Sequence, residues 1–137
     1  MSRYLLIESR DPFESQDSVR FLLATASELS TAGHAVTMFL IQNGALAARD
    51  DVQLPALSAA LRAGVEVIAD EFSLRERGIG DRQRSHSVSS ASLNVVIERL
   101  ALGDRGPGRR TRRIVTTPHP GEHLPGTVPP VHRAQTE

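Results

Sequence analysis

Residues 33–44 read GHAVTMFLIQNG, and this stretch decides the fold. Its middle, Ala35–Ile41, is apolar almost throughout, where a strand with one face in water would alternate. Such a run belongs to a strand covered on both faces, as in a parallel sheet. Gly33 before it reads as a helix C-cap, and Asn43-Gly44 after it reads as a turn.

The same grammar repeats on either side. Upstream, Arg3–Glu8 (RYLLIE) is a second short apolar run, broken by Asp11-Pro12. Between the two strands Val19, Leu22, Leu23, Ala26 and Leu29 keep a 3.6-residue spacing, so a helix capped by Asp17 or Ser18 is expected. Downstream, a helix over 53–63 has Leu54, Leu57, Ala60 and Leu61 as its stripe, Pro55 in its first turn and Gly64 after its end. Val65–Ala69 is the third strand, closed by Asp70-Glu71. Turn and helical character follows over 73–78, and the Ser-rich 85–92 reads as a loop. A helix over 91–102 is expected to bury Leu93, Val96, Ile97 and Leu100, with a last strand over 113–117.

Strands alternating with helices define a parallel sheet covered on both sides. The expected fold is α/β, a single flavodoxin-like three-layer sandwich with a mostly parallel sheet over residues 1–117. The tail over 118–137 holds Pro118, Pro120, Pro125, Pro129 and Pro130, and reads as an extended arm that orders only by docking.

Composition narrows the chemistry. Of 137 residues none is cysteine, which excludes disulfides and any thiol nucleophile. All 16 basic residues are Arg, so Schiff-base catalysis and a P-loop lysine are excluded as well. Sixteen acidic residues balance them, and no net field calls for nucleic acid or an anionic membrane. No Trp and a single Tyr leave little with which to stack bases. No glycine-rich cradle follows the first strand, so no nucleotide cofactor is expected. The apolar run at Tyr4–Ile7 is too short for a signal core or a membrane span, so a soluble cytoplasmic protein is expected.

In this fold class ligands bind beyond the carboxyl ends of the strands. Glu8 and Ser9, then Asn43, then Asp70 and Glu71 with Arg77, fall there, and a polar pocket lined by Glu8, Asn43 and Asp70 is expected. Asp70-Glu71 invites a shared-proton dyad, although successive residues at a strand end point apart. His119-Pro120-Gly121-Glu122-His123 spells a zinc-protease pattern, but Pro120-Gly121 breaks the helix that the geometry needs. At most a loose surface site at His119 and His123 remains, and no metal is expected. The Arg-rich 105–113 stretch reads as a solvated loop.

The order of pieces resembles the DsrE-like family, which includes the DsrE, DsrF and DsrH proteins and the TusBCD sulfur-relay subunits. The resemblance rests on YLLIESRDPFES over 4–15, on Gly33-His34-Ala35-Val36 entering FLIQNGAL, and on Gly64-Val65-Glu66-Val67 running to Ser73-Leu74-Arg75-Glu76-Arg77-Gly78-Ile79. It covers roughly residues 3–117 and implies a subunit that self-associates into a trimer or hexamer. In the sulfur-carrying members a cysteine at the end of the third strand holds a persulfide, and the matching position is Asp70. A carboxylate cannot hold sulfane sulfur. The resemblance therefore implies a cysteine-free, non-catalytic subunit that binds a protein partner or a small ligand at the Asp70 edge. The alternative is a small enzyme in which Asp70, with Glu8 or Arg77, does acid–base work.

Overall fold

The computed structural model describes residues 2–102, 112–116 and 132–136. Strand β1 (Arg3–Glu8) leads to helix α1 (Gln16–Thr31) and strand β2 (Ala35–Leu40). A 3₁₀ helix (Gln42–Ala48) and helix α2 (Pro55–Arg62) precede strand β3 (Glu66–Asp70). Helix α3 (Glu71–Glu76), strand β4 (Ser89–Ala91), helix α4 (Leu93–Leu102), β5 (Arg112–Thr116) and β6 (His132–Thr136) complete the order. The sheet runs β4-β3-β2-β1-β5-β6, parallel except for the β5–β6 pair. The chain is thus an α/β, flavodoxin-like sandwich with a mostly parallel sheet.

The apolar runs become strands because both of their faces are covered. Leu6, Met38 and Val67 stand in register across β1, β2 and β3, and all three are buried against α1 and α2. One residue along, Ile7, Phe39 and Ile68 form the next row and point to the opposite side. There Leu5, Phe39 and Ile68 are sealed by Val96 of α4. Burying side chains of this size stabilises by about 1.5–3 kcal/mol each. A one-residue slip would exchange the two rows and so mismatch the side chains fitted against α1 and α2 with those fitted against α4.

The helix ends follow their local chemistry. Gly33 (φ +98°) and Gly64 (φ +97°) follow α1 and α2 in the left-handed conformation that glycine adopts without penalty. Ser30 Oγ–H donates to the Ala63 carbonyl (2.6 Å), which ties the two helix ends together. The first helix starts at Gln16 with Ser15 as its cap residue, two residues before Asp17 and three before Ser18.

Two elements depart from expectation, and the described end of the tail is seen docked. Ser89–Ala91, read as loop, pairs in parallel with Ile68–Asp70 as an edge strand. Helix α4 buries Val96, while Leu93 and Ile97 face outward, so half of its expected stripe is surface. The side chain of Leu100 lies outside the described residues. In the tail, His132–Thr136 pairs antiparallel with β5. The last part of the arm is thus docked on β5, and residues 117–131 are outside the described residues.

Among the described residues no helix is long and apolar enough to cross a membrane.

Candidate functional site

Strands β1 to β4 step outward in one direction, and β5 returns to the far side of β1. The strand order therefore reverses between β1 and β5. Crevices at such a reversal are where this class of sheet receives ligands. The loop after β1 lies at the reversal, and the ends of β2 and β3 lie beside it.

Glu8 closes β1 with 2% of its surface exposed, and its Oε2 accepts from the Arg10 N–H (2.9 Å). Its carbonyl accepts from the Ile41 N–H (2.9 Å), joining the ends of β1 and β2. Gly44 passes so close to that carbonyl that a Cβ would collide with it, and would stand 2.9 Å from the carbonyl carbon. Here glycine is required by close approach rather than by backbone angle. Ser9 is half-buried beside Glu8.

Asp70 is built into the fold. As N-cap of α3 its Oδ2 accepts from the Ser73 N–H (3.0 Å) and from the Ser73 hydroxyl (2.7 Å). Ser73 is buried, and its Oγ in turn accepts from the Gln42 N–H (2.8 Å). Gln42 holds φ +51°, an uncommon left-handed geometry for a residue other than glycine. One chain of hydrogen bonds thus runs from the end of β3 through α3 to the turn after β2.

A second tie runs parallel to it. Arg77 donates from Nε (3.2 Å) and from a terminal guanidinium nitrogen (3.0 Å) to Asn43 Oδ1, and from the other terminal nitrogen to the Ser73 carbonyl (3.2 Å). The Glu76 carboxylate lies 3.9 Å from that guanidinium. Guanidinium geometry suits this fork.

Of the expected site residues, Asn43, Asp70 and Arg77 come together across the ends of β2 and β3, and Glu8 with Ser9 sits one strand away. Glu71 stands exposed on the first turn of α3, while both Asp70 bonds run to Ser73. The two carboxylates therefore do not form a shared-proton dyad. His119 and His123 lie outside the described residues, as does most of the Arg-rich stretch. No cluster of three metal-ligating side chains occurs among the described residues. Gln42 and Ser73 belong to the polar strand-end segments, but the hydrogen bonds that join them to each other and to Asp70 carry no sequence pattern of their own beyond one spacing. The spacing Asp70-x-x-Ser73 is that of a cap residue and the third helical position, and it was the available signal.

No family model matches the chain, and neither does any curated protein. Solved structures do. The protein of unknown function MTH1491 from Methanobacterium thermoautotrophicum superposes with a TM-score of 0.63 at 18% identity, over 75% of this chain and 95% of that one. The ychN protein from E. coli superposes with a TM-score of 0.64 at 17% identity, over 85% and 99%. At such identities the likeness is one of architecture alone, the α/β sandwich described above.

Proposed function

We propose that the chain is a non-catalytic subunit of DsrE-like fold that self-associates, as a trimer or hexamer, and binds a protein partner or small ligand at the Asp70 edge. A link to sulfur metabolism is part of this reading, without persulfide carriage by the chain itself. The observation that carries it is the state of Asp70. At the position where the resemblance puts a sulfur-carrying cysteine stands a carboxylate whose Oδ2 is committed to capping α3. The chain holds no cysteine to substitute for it.

Support for association comes from the surface. Phe72 on α3 is 58% exposed, and Leu93, Val95 and Ile97 on α4 are between 43% and 50% exposed. Large apolar side chains presented on two helices suit contact with another protein surface better than contact with water. The acid–base alternative has less behind it, because Arg77 is already spent on Asn43 and Ser73.

Native mass spectrometry of the full chain at micromolar concentration tests the assembly and reads any retained ligand at once. A trimer or hexamer is expected, and a strict monomer sinks the self-association. Asp70→Asn keeps an acceptor for Ser73 while removing the acid. The subunit reading expects this variant to assemble and capture ligand as the wild type does. Ligand turnover by the wild type that the variant loses would establish the enzyme instead.

A further inference from the structure

On the layer formed by α1 and α2, away from Asp70, a groove of about 460 Å³ opens between the start of α1 and the segment entering α2. Its floor is Val19 and Leu23, both buried, and its far wall is Leu54 and Pro55. Phe13 stands at the mouth with 52% of its surface exposed. Its polar lining, among the described residues, is the amides of Gln16 and Gln53 and the guanidinium of Arg20, the one charged side chain.

Arg20 is available. Its guanidinium lies 3.8 Å from the Asp17 carboxylate, and the two side chains are 65% and 100% exposed, a solvated pair that is readily exchanged. Asp17 and Glu14 line the adjoining hollow around residues 13–18 and not the groove. The first turn of α2, which begins without a side-chain cap, adds partial positive charge at the wall. Size, an apolar floor and a few convergent polar groups are the ordinary make-up of a small-molecule site. An anionic head group meets Arg20 by displacing the solvent-exposed Asp17 carboxylate.

We propose that the groove binds a small apolar monocarboxylate, an aromatic or medium-chain acid. Its hydrocarbon body lies on Val19, Leu23 and Leu54, and its head group meets Arg20 with the Gln16 and Gln53 amides beside it. This site is separate from the Asp70 edge and stands whether or not the subunit reading does.

The test is a titration of the nitrogen-labelled full chain, followed by amide correlation spectra. The probes are 4-phenylbutyrate and its cationic counterpart, 4-phenylbutylamine. The acid is expected to shift the Val19, Leu23 and Ala56 amides saturably, and the amine is not. Arg20→Gln should weaken the acid about three- to fivefold, the scale of an exposed charge contact, without moving the thermal melt. Equal shifts from the amine, shifts confined to other residues, or no saturation by about 10 mM would overturn the proposal. So would movement of the same amides on dilution of protein alone, which would mean that a second copy fills the groove.

Discussion

Replacing Asp70 with Ala separates what this carboxylate does for the fold from what it does for a ligand. The substitution removes the N-cap of α3, a loss typically worth about 1 kcal/mol. It also strands the Ser73 N–H and hydroxyl, which are buried with their acceptor gone. A buried donor left unpaired costs about 1–3 kcal/mol, and the two terms overlap because they describe the same bonds. The expected destabilisation is therefore about 2–3 kcal/mol, most of it from Ser73. Asp70→Asn, which retains a side-chain carbonyl for the same donors, should lose about 1 kcal/mol or less. Urea unfolding followed by circular dichroism reads both, and the m-value should not change. Should Asp70→Ala unfold within about 0.5 kcal/mol of the wild type, the range of ordinary surface substitutions, the capping argument fails. The carboxylate would then have to be explained by function alone.

Other substitutions along this edge have equally definite outcomes. Gly44→Ala drives a Cβ into the Glu8 carbonyl, and backbone must move on one side or the other; a loss of about 1–3 kcal/mol in chemical denaturation is expected. Gln42→Gly relieves a left-handed residue and should stabilise by up to about 1 kcal/mol after the added freedom of the unfolded chain is subtracted, read as a higher urea midpoint at unchanged m-value. Asn43→Ala and Arg77→Ala should be non-additive, with a coupling of about 0.5–1.5 kcal/mol measured by a double-mutant cycle. Additive effects would mean that the fork contributes nothing.

How much of this was readable in the sequence varies from element to element. The strands β1, β2 and β3 announce themselves because burial on both faces leaves a nearly continuous apolar run. Strand β4 does not, because three residues of Ser-Ser-Ala carry no pattern. Its strand geometry comes from pairing with β3, a tertiary cause. The spacing of α4 identified a helix but not its inner face. Only the Val96 side of the expected stripe packs under the sheet, and the sequence does not record how many sides a helix will have covered.

At the candidate site the polar strand ends were legible as positions. Their bonding was not. The capping role of Asp70 is hidden because its partner, Ser73, looks like an ordinary helix serine until the cap geometry is seen. Arg77 is legible as a cation at the strand ends, but the Asn43 side-chain carbonyl oxygen that it braces is not. Such substitutions of architecture for chemistry are expected where a helix starts within one residue of a strand's end.

The reversal of strand order beside β1 also has a temporal meaning. Strand β1 pairs with β2 across about thirty residues of chain, Arg3 opposite Ala35, but with β5 across more than a hundred, Arg3 opposite Arg112. On a growing chain β1 through β4 can pair while β5 is still unmade. Until it arrives β1 is an open edge, with its outer N–H and C=O groups unpaired. Parallel pairings between segments so distant in sequence form slowly. The waiting half-sheet therefore has an adhesive side, and closure by β5 and then β6 ends its exposure.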